Sequence, residues 1–363
     1  MGKMGISLYP ERSTFAKDKA YLDLAYKYGF KRVFTSLLQI EKEKNQVLAE
    51  FKQVIDYANS LDMEVMVDIN PRLFEQLDIS YNDLSFFYEL GADGLRLDLG
   101  FTGAEEAQMT RNPYRLKIEI NMSGGTNYVD NIMSYSPDTD HLLGSHNFYP
   151  HRYTGLGYQH FVYCCEKFRR YNLNTMAFVN SQTATFGPWP TQDGLCTLED
   201  HRELAIDTQV KHLRLTGLID DITIANAYAS EAELQAMSES FHALYPILHV
   251  DVVEDITEDE RLCLFNHLHS YRGDASEYLL RSTLTRVYYK NQPFPAHNTQ
   301  NIKRGDVLID NASYDQYKGE TQIALQSMQN DGRTNVVGHI TEEELFLLQF
   351  LKPWSNFGLK ENK

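Results

Sequence analysis

Two carboxylates sit in short runs that alternate strictly between apolar and polar residues: Asp98 in Leu95-Arg96-Leu97-Asp98-Leu99, and Glu119 in Leu116-Lys117-Ile118-Glu119-Ile120-Asn121. Alternation reads as β-strand, so Arg96 and Asp98 share one face, and Lys117, Glu119 and Asn121 share another. The opposite face of each run is Leu or Ile only. Such a strand suits the interior of a large fold, with a carboxylate held in a crevice at its end. Neighbouring strands lie about 4.8 Å apart, so two carboxylates at equal depth reach the ~5 Å separation of a retaining glycosidase pair. Like charge and burial raise one pKa, giving an acid, while its ionised partner attacks a sugar or activates water. A plainer reading carries equal weight from spacing alone. Asp98 pairs with Arg96, and Glu119 with Lys117, as satisfied polar layers.

The frame around these runs alternates strand and helix. Strands are expected at Met4–Tyr9, Arg32–Thr35, Glu64–Asn70, the two runs above, Leu142–Phe148, Thr175–Asn180 and His212–Thr216. Helices are expected over Ala16–Tyr28, Val47–Leu61, Ile79–Leu90, Tyr158–Tyr171, Leu198–Val210 and Ser230–Leu244. Eight strand–helix units over roughly 240 residues fit an α/β (β/α)8 TIM barrel. A doubly wound open sheet is the alternative, but no G-x-G-x-x-G or phosphate-loop run follows any strand. From Ile247 the pattern changes to short alternating segments punctuated by Gly and Asn, which reads as a small mostly-β barrel. The expected domains are therefore 1–245 and 246–363, the second placed as a cap over the barrel's active-site face.

Barrel chemistry sits at the C-terminal ends of the strands. The polar residues expected there are Tyr9 and Glu11, Thr35 and Ser36, Asp68 and Asn70, Asp98, Glu119 and Asn121, His146 and Asn147, Asn180 and Gln182, and Thr216. That set suits a polyhydroxylated substrate. No two histidines stand at ligand spacing and the carboxylates are scattered, so neither a metal nor another cofactor is expected. The run His146-Asn147-Phe148-Tyr149-Pro150-His151-Arg152 packs aromatics, a cation and hydrogen-bonding groups after strand six, a composition suited to sugar and anion recognition.

Bulk properties narrow the partners. Thirty-four basic against 50 acidic residues leave a net charge of −16, which argues against nucleic acid or an anionic membrane as partner. No apolar run reaches the ~18 residues of a membrane helix, and MGKMGISLYPERS lacks a signal pattern. Cys164, Cys165, Cys196 and Cys263 show no C-x-x-C spacing and read as reduced thiols. A cytoplasmic protein is expected, its oligomeric state unspecified.

The runs FKRVFTSLLQ, YNDLSFFYELGADGLRLDLGF, LKIEINMS, SHNFYPHRYTGLGY, FGPWPTQDGLCTLEDHR, HLRLTGLIDDITIANAYAS, HSYRGDASEYLLRST and YKGETQIAL together resemble the bacterial 6-phospho-N-acetylmuramidases over essentially the whole chain. The resemblance implies a TIM barrel followed by a cyclophilin-like β domain. It also implies a cytoplasmic glycosidase of peptidoglycan recycling, whose partner is a phosphosugar disaccharide of N-acetylmuramic acid 6-phosphate and N-acetylglucosamine. Carried onto this chain, Asp98 and Glu119 form the catalytic pair, with Glu119 as acid, and Asp68 is the next candidate. An acetamide nucleophile polarised by Asp98 is an alternative within the same chemistry. Substrate contacts are expected from Tyr9, Glu11, Asn121, His146, Asn147, Tyr149, Arg152, Asn180 and Gln182. The phosphate and lactyl carboxylate are expected to draw Arg152, Arg272, Arg281 and Lys318, with the hydroxyls of Tyr314 and Tyr317. Two other classes compete: a non-catalytic sugar binder, and a barrel isomerase or aldolase whose nearest Schiff-base lysines are Lys117 and Lys211.

Overall fold

The computed structural model of the chain describes residues 2–38, 44–188, 190–191 and 193–362, and it divides into two compact units, Met1–Phe241 and His242–Lys363. In the first unit eight parallel strands close into a barrel in sequence order. They are β1 (Met4–Leu8), β2 (Arg32–Ser36), β3 (Glu64–Ile69), β4 (Gly94–Leu97), β5 (Lys117–Asn121), β6 (Leu142–Ser145), β7 (Asn174–Val179) and β8 (Asp221–Ile224). Helices α1 (Phe15–Lys27), α2 (Lys44–Ser60), α3 (Pro71–Gln76), α4 (Ser85–Leu90), α5 (Ala104–Met109), α6 (Tyr128–Ser134), α7 (Tyr158–Arg169), α8 (Ile206–Thr216) and α9 (Glu231–His242) alternate with them. The apolar face of each strand packs outward against these helices. Ile6, Val33, Val65, Val67, Leu95, Leu97, Ile118 and Ile120 are all buried in one core.

The expected eighth strand is a correction. His212–Thr216 is the last turn of α8, not a strand, and Thr216 is a helical residue whose hydroxyl donates to the Leu213 carbonyl. Five alternating residues are too few to separate the two periods. Ile206, Val210 and Leu213 form the buried helical stripe, and Gly217, at φ 66°, ends the helix in the left-handed conformation. The strand comes later, as Asp-Ile-Thr-Ile. The expected helix over Ile79–Leu90 also shortens to α4. Ahead of it the sequence spacing missed α3, which Asn70 caps by accepting from the Leu73 amide at 3.1 Å with Pro71 in its first turn. In the expected helix Val47–Leu61 the sequence sets Leu48 on the apolar face with Phe51, Val54, Ile55 and Ala58; those four are buried, and the Leu48 side chain lies outside the described residues.

An ionic network fills part of the barrel interior, beside the inward-facing rings of Phe34 and Phe178, whose centres lie 5.1 Å apart. Register places Arg32 beside Glu64, Asp68 beside Arg96, and Arg96 beside Glu119. Arg32 is 1% exposed; its Nη1 lies 3.1 Å from Asp221 and 3.7 Å from Glu64, and its Nη2 pairs with Glu119. Lys3 and Lys117 close the lower end on Glu64. Burial alone would raise the Glu64 pKa, yet Arg32, Lys117 and Lys3 together hold it down at about 2.

The second unit is a seven-stranded sheet of β9 (Ile247–Val252), β10 (His269–Ser270), β11 (Leu279–Ser282), β12 (Asp306–Asp310), β13 (Thr321–Ala324), β14 (Thr334–Ile340) and β15 (Asn356–Glu361), in the order β10-β15-β9-β14-β12-β13-β11. Its end strands approach each other. The Arg272 amide donates to the Arg281 carbonyl at 3.0 Å and His269 Nδ1 meets Ser282 Oγ at 3.0 Å, so the sheet is a nearly closed barrel.

Arg32→Met would strand Glu64, Glu119 and Asp221 without their common counter-charge. Urea unfolding is expected to show a loss of about 3–5 kcal/mol, typical of breaking a buried ion pair from one side. A loss below about 1 kcal/mol would contradict a supporting role for the interior network.

Candidate active site

The upper layer of the barrel interior is organised by Arg96. Its guanidinium is buried, and its planar fork presents five N–H groups in fixed directions. Nε donates to Ser145 Oγ at 2.8 Å, and Nη1 to Asp68 Oδ1 at 2.6 Å and Asp98 Oδ1 at 3.4 Å. Nη2 donates to the Asn147 side-chain oxygen and to the His146 carbonyl. Strands β3 and β6 and the loops after β4 and β6 are thereby aimed at one cation. Asp98 stands one residue beyond the end of β4, its backbone carbonyl held by Asn121 Nδ2 at 3.1 Å.

Asp68 and Asp98 share one guanidinium nitrogen, so their bound oxygens stand no more than about 6 Å apart, near the range of glycosidase carboxylate pairs. Their surroundings differ. The Asp98 side chain is 31% exposed, whereas that of Asp68 is 4% exposed and also accepts from Ser36 Oγ at 3.3 Å. Burial raises the Asp68 pKa to about 7, outweighing the pull of Arg96, and the nearby Asp98 adds to the rise. One carboxyl in the pair therefore keeps its proton up to neutral pH.

Glu119 lies one layer deeper than its expected strand-end position. It is 0% exposed and level with Arg96; it pairs with Arg32 and stands 4.0 Å from Arg96 Nε. Asn121, not Glu119, reaches the level of Asp98. The lysines of the Schiff-base reading are elsewhere. Lys117 opens β5 at the lower end, paired with Glu64, and Lys211 lies on α8, paired with Asp207 at 2.8 Å.

Several residues expected at the mouth have internal duties. Tyr9 is buried, and its hydroxyl donates to the Ala225 carbonyl at 2.6 Å, joining the ends of β1 and β8. Glu11 lies in the short turn Pro10–Arg12, half-buried. His146 is sealed between Ser123 Oγ and Cys165 Sγ and stacks on Phe161, and burial lowers its pKa to about 3. Asn180 is buried, holding the Leu195 amide and the Arg202 carbonyl, while exposed Gln182 donates to the Arg202 and Leu204 carbonyls. Tyr149 remains half-buried in the loop after β6, and Arg152 pairs with Glu203 at 2.6 Å.

In the second unit, Arg281, Tyr314 and Tyr317 line a cavity of about 700 Å3 with the buried side chains of Asp310 and Gln322. Arg281 is tied to Glu320 at 2.6 Å, Arg272 pairs with Asp274, and Lys318 is half-buried at the end of a short 3-10 segment. The residues that sequence reasoning undervalued are the two interior arginines. Their signal was visible: Arg96 stands between two leucines and Arg32 opens the run Val33-Phe34, and a cation in such a strand requires partners.

A family model described as "6-phospho-N-acetylmuramidase, N-terminal" matches residues 4–239, and its C-terminal counterpart matches residues 246–360. Among solved structures, an uncharacterized protein of B. cereus is 47% identical, with 99% of each chain covered and a TM-score of 0.91. A conserved protein of unknown function from Enterococcus faecalis is 26% identical, covering 99% of this chain and 96% of its own, with a TM-score of 0.77. No curated protein matches.

The sealed imidazole of His146 makes a pH prediction. The unfolded chain takes up a proton there near pH 6.5, while the folded chain resists until about 3, so stability contributed at pH 7 is lost as pH falls through that window. Urea unfolding at pH 7 and pH 5 is expected to show a larger acid-induced loss for wild type than for His146→Gln, by up to about 1.4 kcal/mol per pH unit. Equal losses would contradict a neutral, buried His146.

Proposed function

The chain belongs to the 6-phospho-N-acetylmuramidase family, glycosidases of a phosphosugar, and on that premise we propose that Asp98 and Asp68 are its working carboxylates. The substrate is the disaccharide of N-acetylmuramic acid 6-phosphate and N-acetylglucosamine, and the setting is cytoplasmic recycling of peptidoglycan fragments. Among the described residues, no helix is long and apolar enough to cross a membrane.

The observation that carries the carboxylate assignment is the shared Arg96 nitrogen, with Asp68 at 2.6 Å and Asp98 at 3.4 Å. Glycoside hydrolysis requires one protonated and one charged carboxyl at the same bond. Asp68, holding its proton to about pH 7, donates to the leaving oxygen. Asp98, the more exposed of the two, faces the anomeric centre or the substrate's acetamide. Arg96 fixes both and stabilises the negative charge that appears on Asp68 once the proton has left. Glu119, engaged with Arg32, holds the layer beneath them and positions Arg96 from below.

The test compares wild type, Asp98→Asn, Asp68→Asn and Glu119→Gln on the phosphorylated disaccharide, its unphosphorylated form, and an activated aryl glycoside of the same phosphosugar. Wild type is expected to cleave the phosphorylated compounds only. Asp68→Asn should lose about 10²–10⁴-fold in kcat on the disaccharide and recover on the aryl glycoside, whose leaving group needs no proton. Asp98→Asn should lose both. In wild type, kcat on the disaccharide should fall as pH rises through about 7, and this basic limb should vanish with the aryl substrate. Full activity in Asp68→Asn, with Glu119→Gln inactive but folded, would return the acid role to Glu119.

A further inference from the structure

One corner of the barrel mouth gathers two cations that form no direct ion pair among the described residues; Asp18, held by Ser13 and Tyr228, is the acidic group within electrostatic reach of Lys17. Arg12 follows β1 and Lys17 lies in the first turn of α1, while Phe186 follows β7 and Tyr228 follows β8. These loops meet where β7, β8 and β1 adjoin in the closed barrel. The Arg12 guanidinium carbon is 5.9 Å from the Phe186 ring centre, and Lys17 Nζ is 5.4 Å from the same ring and 3.9 Å from that of Tyr228. Arg12 donates through Nη1 only, to the carbonyls of Gly187 and Pro188, each at 2.9 Å. Among the described residues, its Nε and Nη2 and the Lys17 ammonium make no hydrogen bond, and neither side chain joins an ion pair.

The platform under these cations is fixed in advance. Phe186 exchanges two backbone hydrogen bonds with Ala227, and the Tyr228 hydroxyl donates to Asp18 at 2.8 Å. In a chain of net charge −16, two cations over adjoining rings, neither in a direct ion pair, stand out, although Asp18 lies within electrostatic reach of Lys17. An aromatic face holds a cation by its quadrupole and leaves N–H groups free for an anion. Thr14, the N-cap of α1, makes no capping side-chain hydrogen bond, and Asp18 in the first turn offsets only part of the positive charge at that helix end.

We propose that Arg12 and Lys17 form the subsite that takes the 6-phosphate of the sugar, an inference that rests on the phosphosugar glycosidase reading. The loops after strands seven and eight are where barrels of this architecture commonly hold phosphate. In the ring of eight strands, β8 lies opposite β4. A single pyranose set across the mouth then offers its anomeric carbon to Asp98 and its phosphate to Arg12 and Lys17.

The test measures binding and turnover separately, on the full chain. N-acetylglucosamine 6-phosphate and N-acetylglucosamine are titrated calorimetrically into wild type, Arg12→Gln, Lys17→Gln and the charge-preserving Arg12→Lys. KM and kcat for the phosphorylated disaccharide are measured on the same proteins. Each Gln variant is expected to weaken the phosphorylated sugar about 10–100-fold, the range of a lost charge-assisted hydrogen bond, with the neutral sugar unaffected. The loss in turnover should fall on KM more than on kcat, and Arg12→Lys should recover part of the affinity. Wild-type hydrolysis with unchanged KM in both Gln variants would overturn the subsite alone. So would a phosphorylated sugar that wild type binds no better than the Gln variants do. Charge-dependent binding without hydrolysis in wild type would uphold the subsite and refute the glycosidase.

Discussion

Two guanidinium groups buried inside the barrel determine most of what surrounds them. A cation in that interior carries a desolvation cost of several kcal/mol that only close, hydrogen-bonded carboxylates offset. Arg32 draws Glu64, Glu119 and Asp221 around itself at the lower level, and Arg96 draws Asp68 and Asp98 at the upper one. Glu119 lies between the two and fixes their separation. Because every strand from β2 to β5 and also β8 contributes a charge, the network sets register as well as balance: a slip of one residue would turn each of these groups outward. The active-site geometry is a consequence of this layering. Asp98 stands above the ionic interior, and its side chain is more exposed than those of Asp68, Glu64, Glu119 and Asp221.

The upper layer also explains how two aspartates in one site differ. Asp68 has lost its water and gained Arg96, and burial is the larger effect, so its proton is retained to about pH 7. Lower down, Glu64 is pulled the other way because three cations act on it at once. The same residue chemistry thus serves as acid or as counter-ion according to how many positive charges stand within reach.

Much of the fold was legible from the sequence: β3, β4 and β5 alternate with an outer face of Val, Ile and Leu only, and β1, β2, β6 and β7 are short, largely apolar runs between turn signals. The eighth was not. His-Leu-Arg-Leu-Thr alternates as a strand does, and only Gly217 and the longer stripe of Ile206, Val210 and Leu213 reveal it as the end of a helix. Within the site, Asp98 and Asp68 could be named from strand ends, but their relation could not. Depth in a barrel depends on register between neighbouring strands, and the pairing of Arg96 with Glu119 places Glu119 below the mouth although both runs look alike in sequence. His146, Tyr9 and Asn180 look like recognition residues because they follow strands. The structure uses them to seal and join those strand ends. Arg12 and Lys17 gave no pattern at all, since the rings beneath them come from segments about 170 to 215 positions away.

The central claim is that Arg96 holds two aspartates of which one stays protonated near neutrality. Carboxyl carbon NMR of aspartate-labelled protein, titrated from pH 3 to pH 9 in wild type and Asp68→Asn, tests it most directly. Two aspartate resonances should titrate near pH 7, those of Asp68 and of the buried Asp310 in the second unit, and one of them should be missing from Asp68→Asn. If the resonance that Asp68→Asn removes titrates below about pH 5, the ordinary range for an unburied or salt-bridged group, Asp68 is a simple counter-ion and the proton must come from elsewhere.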